Sequence, residues 1–247
     1  MDGVLIRDGS MVPGADRFLA WLRSTDRHFL VLTNNSLFTP DVLSQRLRSM
    51  GLDVGRDQLW TSALATARFV RDQRPEGRAF VIGESSMHDA LSDVGYREAT
   101  HSVDYVVLGE TWHYSFEELT TAIRLVESGS AFVATNPETT GTSPEGPLPG
   151  CGALAALIES ATGVTPYYVG KPNAVMIRDA LKILGAHSSE TVVVGDRMDT
   201  DIHAGTEAGI ETVLVLTGVA QAGDAEKYAF RPTRVVASVV DLIEVAK

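Results

Sequence analysis

The sequence has little cysteine and no long apolar run. The first argues against a disulfide-stabilised protein, and the second against a membrane-spanning one. Cys151 is the one cysteine among 247 residues, which excludes an internal disulfide and favours a reducing cytoplasm. No apolar stretch reaches the roughly 18 residues that a bilayer-spanning helix needs. Met1 is followed directly by Asp2, without the basic and apolar leader of a signal peptide. We therefore expect a cytoplasmic protein without a membrane partner.

Positive charge is also scarce. Lysine and arginine total 21 against 32 aspartate and glutamate residues, for a formal net charge of −11. A surface of this sign repels nucleic acid and anionic membranes, so neither is expected as a partner. Phosphorylated small molecules remain compatible, because a bound metal ion reverses the local field.

Strand-like and helix-like segments alternate through most of the chain. The alternation predicts an α/β fold with a doubly wound parallel sheet. The break at Arg74-Pro-Glu-Gly77 restarts the pattern. It predicts a core domain from residues 1–73 and 168–247, with an inserted α/β unit over 74–167. The pattern predicts helices over 15–24, 174–184 and 201–208, and a further helix capped by Ser62. It predicts strands over 28–32 and 192–194, and a loop over 136–150.

The stretch around Asp196 is the most informative in the chain. Val192 to Val194 has the β-branched pattern of a strand buried on both faces, and Gly195 ends it. Asp196, Asp199 and Asp201 follow within six residues. Such carboxylates repel one another unless a cation or a lysine lies among them. The alternative is a solvated acidic loop in which Asp199 or Thr200 caps the next helix.

The Asp196 cluster is one of four polar clusters that follow predicted core strands. They are Asp2-Gly3, Thr33-Asn34, Lys171, and Asp196 with Asp201. Phosphoryl transfer uses these group types: carboxylates with a metal ion, a hydroxyl and an amide for phosphate oxygens, and a lysine that neutralises charge. Each cluster alone also has a structural explanation. Thr33-Asn34 is also typical of a turn, and Lys171 of an ordinary surface lysine.

The motifs together resemble the haloacid-dehalogenase superfamily of phosphatases, in its NagD-type branch with a large α/β cap. The resemblance spans nearly the whole chain. It rests on Asp2-Gly-Val-Leu5, Leu32-Thr-Asn-Asn35, Ala134-Thr-Asn-Pro137, Tyr168-Val-Gly-Lys-Pro172, and Gly195-Asp-Arg197 through Thr200-Asp-Ile202. It implies a Mg²⁺-dependent phosphomonoester hydrolase that acts on small phosphorylated metabolites such as nucleoside monophosphates or sugar phosphates.

The resemblance also implies a role for each matching residue. Asp2 would be the general acid/base and, through its backbone carbonyl, a Mg²⁺ ligand. Thr33 and Asn34 would hold the phosphoryl oxygens. Lys171 would bridge nucleophile and phosphate. Asp196 would bind Mg²⁺, and Asp201 would orient Lys171 or a metal-bound water. Asp199 lies outside the motif and is expected to face solvent. In the cap, Trp112 and Asn136 are candidate cleft residues, although a structural role is the more common one for each.

One position of the family pattern has no counterpart. The nucleophile is the first aspartate of Asp-x-Asp, two residues before Asp2, and the apolar strand that leads to it is missing too. We therefore expect the natural start to lie upstream of Met1, with the nucleophile in that segment. The alternative is a catalytically inactive phosphate- or metal-binding protein that keeps the cleft. A two-component receiver-like domain fits less well, because of the inserted unit and the length. The sequence leaves the substrate and the oligomeric state open, with a homodimer as one candidate.

Overall fold

The computed structural model of the protein describes residues 1–143 and 146–245. The chain forms two compact units. The first unit comprises Met1–Thr33, Pro40–Trp60 and Lys171–Lys247, and the second comprises Asn34–Thr39 and Thr61–Gly170. The functional division into a core over 1–73 and 168–247 and a cap over 74–167 remains a prediction.

The first unit contains short strands and α-helices. Its helices are α1 (Ala15–Ser24), α2 (Pro40–Ser49), α7 (Ala174–Leu184), α8 (His203–Glu207) and α9 (Asp241–Val245). Its strands are β1 (Ile6–Arg7), β2 (Ser10–Met11), β3 (Val31–Thr33), β4 (Leu59–Thr61, at the unit boundary), β12 (Val192–Gly195), β13 (Glu211–Val215) and β14 (Arg234–Val236). β12, β13 and β14 form a parallel sheet in that order. β3 pairs with β4 in a separate two-stranded sheet, and β1 pairs with β2 antiparallel.

The second unit is built on a parallel sheet of its own. Its helices are α3 (Ser62–Gln73), α4 (Ser85–Asp93), α5 (Phe116–Glu127) and α6 (Cys151–Thr162). Its strands are β5 (Arg78–Ile82), β6 (Arg97–Glu98), β7 (Tyr105–Leu108), β8 (Ala131–Ala134), β9 (Thr140–Ser143), β10 (Gly146–Pro149) and β11 (Tyr167–Tyr168). The sheet order is β11-β8-β7-β5-β6, and neighbouring strands in it are parallel. Both units therefore have the predicted α/β architecture with parallel sheets.

Local sequence signals explain where several helices begin and end. Ser115 and Glu118 form a reciprocal capping box at the start of α5, with bonds of 3.1 and 2.7 Å to each other's backbone N–H groups. The Asn173 side chain accepts a hydrogen bond from Val175 N at 3.0 Å and begins α7. Gly185 ends α7 in the left-handed conformation, with φ 63°. The predicted helices over 15–24 and 174–184 are confirmed.

Several predicted boundaries are wrong. The strand predicted over 28–32 begins only at Val31, and Thr61 rather than Ser62 caps α3. The loop predicted over 136–150 contains the antiparallel pair β9–β10. Main-chain pairing in a hairpin requires no alternation of apolar residues. Glycine and proline, which suggest a loop, are also tolerated at sheet edges.

The burial expected for Val192–Val194 is also wrong. Val192 is 48% exposed, and Val193 and Val194 are only half-buried. β12 lies at one edge of its sheet, with β13 on its other side. A β-branched strand suited to the middle of a sheet therefore occupies an edge.

No helix in the described part of the chain is long and apolar enough to cross a membrane.

Cys151 is buried in the second unit and is expected to be chemically inert. Burial raises the pKa of the Cys151 thiol to about 11, so almost none of it is the reactive thiolate at neutral pH. We expect no labelling by iodoacetamide at pH 8 in the folded protein and full labelling in denaturant, read by mass spectrometry. Fast labelling of the folded protein would contradict this burial.

Candidate active site

A tight turn after β12 brings Asp196 and Asp201 together in the first unit. Gly195 ends the strand, and a Cβ at that position would overlap the Asp201 side chain. Asp201 Oδ2 accepts hydrogen bonds from the backbone N–H groups of Asp196 and Arg197, each at 3.2 Å. The Asp201 side chain thus closes the turn that carries it.

The helix predicted over 201–208 begins later than expected. Met198–Ile202 forms a wide helical turn, and α8 starts at His203 without a side-chain cap. Asp199 instead pairs with Arg197, with contacts of 3.0 and 2.7 Å. The acidic residues therefore do not act as a conventional helix cap, and Asp199 lies outside the buried cluster.

Lys171 and Asp201 form a buried ion pair. Lys171 Nζ lies 2.6 Å from Asp201 Oδ1, and the two residues are 8% and 6% exposed. Burial favours the neutral acid, but the Lys171 ammonium, the Met1 amino group and the hydrogen bonds to Asp201 together hold the pKa of Asp201 below its usual range. The pair is therefore charged, and the Lys171 ammonium is fixed in place.

Asp196 lies in a cradle of backbone. Burial raises the pKa of Asp196, and the neighbouring Asp201 carboxylate adds to the rise. Asp196 Oδ2 accepts a hydrogen bond from Val219 N at 2.8 Å. A Cβ at Gly3 or Gly218 would overlap this carboxylate, so only glycine lets both backbones approach it.

The amino group of Met1 lies beside the same cluster. It donates a hydrogen bond to Leu32 O at 3.2 Å. Burial lowers the pKa of this amino group, and the Lys171 charge lowers it further. Asp2 is exposed, although its backbone leads into Gly3 and so to Asp196. Thr33 is buried at the end of β3.

In the second unit, Asn136 is fully buried and positions the backbone at Asn34. Its Nδ2 donates to Asn34 O at 2.9 Å, and its Oδ1 accepts from Glu138 N at 3.1 Å. Asn34 Nδ2 in turn lies 3.3 Å from Glu138 Oε1. These contacts give Asn136 a structural task, and its role toward a substrate remains a prediction.

Trp112 is 52% exposed, and its backbone N–H donates to Glu84 Oε1 at 2.9 Å. The side chain is thus accessible to a ligand, and its role remains a prediction.

Sequence reasoning missed a buried polar network around Ser36. Glu110 Oε2 accepts from Ser36 N at 2.7 Å and from Ser36 Oγ at 3.2 Å, and Ser36 Oγ accepts from Glu110 N at 2.9 Å. Ser36 Oγ also lies 3.1 Å from Thr135 Oγ1. The run of polar residues after Thr33 was the available signal, but it also fits an exposed turn.

Replacing Ser36 with alanine is expected to destabilise the protein. The change leaves Glu110 N and the Thr135 hydroxyl without this buried partner, at a cost of about 1–3 kcal/mol. Urea unfolding measures the effect. Ser49→Ala removes one exposed bond of 2.7 Å to Arg46 O and serves as the control. Equal effects of the two changes would contradict the importance of the network.

The residues around Asp196 suit a small divalent cation. The glycine cradle keeps side chains away from this carboxylate, and the Asp2–Gly3 backbone lies against it. Mg²⁺ typically takes one or two carboxylates and leaves other positions to water and phosphate. Within residues 1–143 and 146–245, no group of three or more His, Cys, Asp or Glu side chains forms a metal cage. Asp196 therefore offers one carboxylate to a divalent cation, whose other positions would be left to backbone oxygens, water and phosphate.

Comparison with known proteins identifies the family. Models described as haloacid dehalogenase-like hydrolase and HAD-hydrolase-like match residues 1–97 and 168–242. A dihydroxyacetone phosphatase of Corynebacterium glutamicum is 53% identical over 99% of this chain and 89% of its own. The chain belongs to the haloacid dehalogenase-like hydrolases, in the NagD-type branch of phosphatases.

Solved structures agree with this placement. NagD from Escherichia coli K-12 has a TM-score of 0.93 and 42% identity, over 98% of this chain and 95% of that one. A 4-nitrophenylphosphatase from Thermotoga maritima has a TM-score of 0.95 and 32% identity, over 100% and 95% of the two chains. The resemblance drawn from the motifs is confirmed, and the protein is a phosphatase of a family that generally uses a divalent metal.

Proposed function

We propose that this HAD phosphatase is a Mg²⁺-dependent phosphomonoester hydrolase for small phosphorylated metabolites. The observation that carries the proposal is the buried Lys171–Asp201 pair of 2.6 Å beside the desolvated Asp196. A phosphoryl group in transfer carries negative charge on its oxygens. A fixed ammonium neutralises part of this charge, and a cation bound by a carboxylate would neutralise more of it.

Each residue has a role in the proposal. Asp196 and the Asp2 carbonyl hold Mg²⁺, which supplies neutralisation of phosphate charge when bound. Lys171, oriented by Asp201, neutralises the phosphoryl oxygens. Thr33 and Asn34 donate hydrogen bonds to them, and the Asp2 carboxyl transfers a proton to the leaving group and later accepts one from water.

The nucleophile in this proposal is the first aspartate of the family's Asp-x-Asp pattern, at the position directly before Met1, which residues 1–247 do not include. It forms an aspartyl-phosphate while the ester oxygen leaves with the proton from Asp2, and water then releases phosphate. The chain Met1–Lys247 alone lacks this aspartate and is expected to be inactive by this route.

The relatives suggest which substrates to test first. The named activities are a dihydroxyacetone phosphatase at 53% identity, a ribonucleotide monophosphatase at 42% and acid sugar phosphatases at 36%. We propose small metabolites of these classes, with three-carbon phosphates first. We also propose a cytoplasmic location without nucleic-acid or membrane partners, which suits the net charge of −11.

The test is phosphate release by the aspartate extension, in which a short aliphatic segment that ends in aspartate is joined directly before Met1. In the asparagine extension the last added residue is asparagine instead. The panel contains dihydroxyacetone phosphate, the ribonucleoside monophosphates and hexose phosphates, each with Mg²⁺ and with EDTA. We expect Mg²⁺-dependent turnover of at least one class. Metal-independent turnover would overturn the Mg²⁺ assignment. No turnover of any class would favour the alternative of a phosphate-binding HAD protein without activity.

A further inference from the structure

Glu138 follows β8 in the second unit and contacts Asn34 of the same unit. Its Oε1 accepts a hydrogen bond from Asn34 Nδ2 at 3.3 Å. An ionised carboxylate only accepts hydrogen bonds, so this contact selects the nitrogen end of the Asn34 amide and turns it toward Glu138. The carboxylate therefore lies against the amide to which the proposed function assigns a phosphoryl oxygen.

The backbone at Glu138 is anchored to its surroundings. Its N–H donates to Asn136 Oδ1 at 3.1 Å, and its carbonyl accepts a hydrogen bond from Gly152 N at 2.8 Å. A Cβ at Gly150 would overlap the same carbonyl oxygen, so glycine lets the start of α6 approach this turn. The position of Glu138 is thus built into the connection between β8 and α6.

Asn34 is anchored as well. Its carbonyl accepts hydrogen bonds from Asn136 Nδ2 at 2.9 Å and from Ser62 Oγ at 2.6 Å. A Cβ at Gly170 would lie 2.7 Å from Asn34 Oδ1. Because both residues are held, the fold sets the separation between the Glu138 carboxylate and a group bound by the Asn34 amide.

Two other carboxylates lie at the same edge of the sheet and have structural tasks. β5, β7 and β8 are adjacent and parallel, so their carboxyl ends share one edge. Glu110, after β7, accepts hydrogen bonds from Ser36, and Glu84, after β5, accepts one from Trp112 N. Glu138 differs from them because its contact is the proposed phosphate ligand. All three carboxylates give this edge a negative field.

The contact between Glu138 and Asn34 limits how far a bound phosphate lies from the carboxylate. A phosphoryl oxygen bound to Asn34 Nδ2 lies within about 6 Å of Glu138 Oε1, because both bonds share that nitrogen. Two negative charges repel appreciably at this separation in a partly buried site. A second anionic group beside the phosphate is therefore repelled, whereas a hydroxyl in the same place can donate a hydrogen bond to the carboxylate.

We propose that Glu138 determines which phosphate esters the site accepts. It favours substrates that carry hydroxyl groups near the phosphate, and it disfavours those that carry a carboxylate or a second phosphate there. Its role is in selectivity and not in the chemical step. This inference rests on the proposed function, because it requires Asn34 to bind the phosphoryl group.

The test compares Glu138→Gln with its parent, the aspartate extension, on two esters of equal carbon length. Glycerol 3-phosphate ends in a hydroxymethyl group, and 3-phosphoglycerate ends in a carboxylate instead. Glutamine keeps an oxygen that accepts from Asn34 Nδ2 but carries no charge. Glu127→Gln is the matched control, since it removes the same charge from an exposed position at the end of α5. The constants kcat and KM are measured for each protein with Mg²⁺.

We expect Glu138→Gln to raise the ratio of kcat/KM for 3-phosphoglycerate to that for glycerol 3-phosphate by about tenfold or more, because placing like charges together is costly. The change should lie mainly in KM, since the repulsion acts on the bound substrate as well as on the transition state. Glu127→Gln should leave the ratio at the parent's value. An unchanged ratio in Glu138→Gln, or a parent that prefers 3-phosphoglycerate, would overturn the role of Glu138. A purely structural role would lower both values together without moving the ratio.

Binding measurements separate this inference from catalysis. Calorimetric titration of the asparagine extension with each ester and Mg²⁺, with and without Glu138→Gln, gives the same ratio as dissociation constants. The expected shift in binding, without hydrolysis by the aspartate extension, would support Glu138 and contradict the proposed activity. Hydrolysis with an unchanged ratio would overturn the role of Glu138 and leave the proposed function in place. Neither binding nor hydrolysis of either ester would overturn both.

Discussion

Replacing Lys171 with methionine in the aspartate extension is expected to destabilise the protein more than any other substitution proposed for it. The same change should also cause a large loss of activity. Methionine keeps much of the side-chain volume but leaves the Asp201 carboxylate buried without its 2.6 Å partner. Removing one member of a buried ion pair typically costs about 3–5 kcal/mol. The loss of a fixed charge at the phosphoryl group lowers the rate by about 10²–10³-fold or more.

Lys227→Met is the matched control for Lys171→Met. Lys227 pairs with Asp224 at 2.7 Å, but its side chain is 74% exposed, so its replacement should leave the free energy of unfolding nearly unchanged. Urea unfolding and 4-nitrophenyl phosphate hydrolysis measure both variants. If Lys171→Met is as stable and active as Lys227→Met, the buried pair does not organise the site.

Replacing Asp196 with asparagine in the aspartate extension should remove activity while leaving the fold intact. The raised pKa of Asp196 reflects the cost of burying its charge, so a neutral side chain of similar shape is not expected to destabilise the metal-free protein. A bound metal contributes several kcal/mol to stabilising transition-state charge, and each 1.4 kcal/mol corresponds to a tenfold rate change. We therefore expect a loss of about 10³-fold or more.

Thermal unfolding with and without Mg²⁺ separates metal binding from folding. Mg²⁺ should raise the melting temperature of the parent by mass action and leave Asp196→Asn unchanged. Asp199→Asn is the control, because this carboxylate pairs with Arg197 outside the buried cluster. Its Mg²⁺ response should equal that of the parent. A full Mg²⁺ shift in Asp196→Asn would place the metal elsewhere.

Residues with a strong local signature could be placed from the sequence. α7 combines a helical apolar period with Asn173 at its start and Gly185 at its end, and its bounds are as predicted. The polar clusters Lys171, Asp196 and Asp201 follow short strands, and parallel strands bring such residues to one edge. The structure places these side chains in one buried cluster. Their catalytic roles remain predictions.

Features that depend on partners distant in sequence could not be placed in the same way. Val192–Val194 has the composition of a central strand, yet its burial depends on a neighbour on each side. The Ser36–Glu110–Thr135 network joins residues 74 and 99 positions apart, and no local pattern reports such pairing. The turn at Met198–Ile202 follows from Asp201 binding the amides of Asp196 and Arg197, which competes with the helix that propensity favours.

Hydrolysis of 4-nitrophenyl phosphate by the aspartate and asparagine extensions, each with Mg²⁺ or EDTA, tests the central claim most directly. The two proteins differ only in the group that would form the phosphoryl-enzyme. The account predicts turnover by the aspartate form with Mg²⁺, none with EDTA, and none by the asparagine form in either condition. Equal Mg²⁺-dependent turnover by both forms would contradict it, because another group would then be the nucleophile.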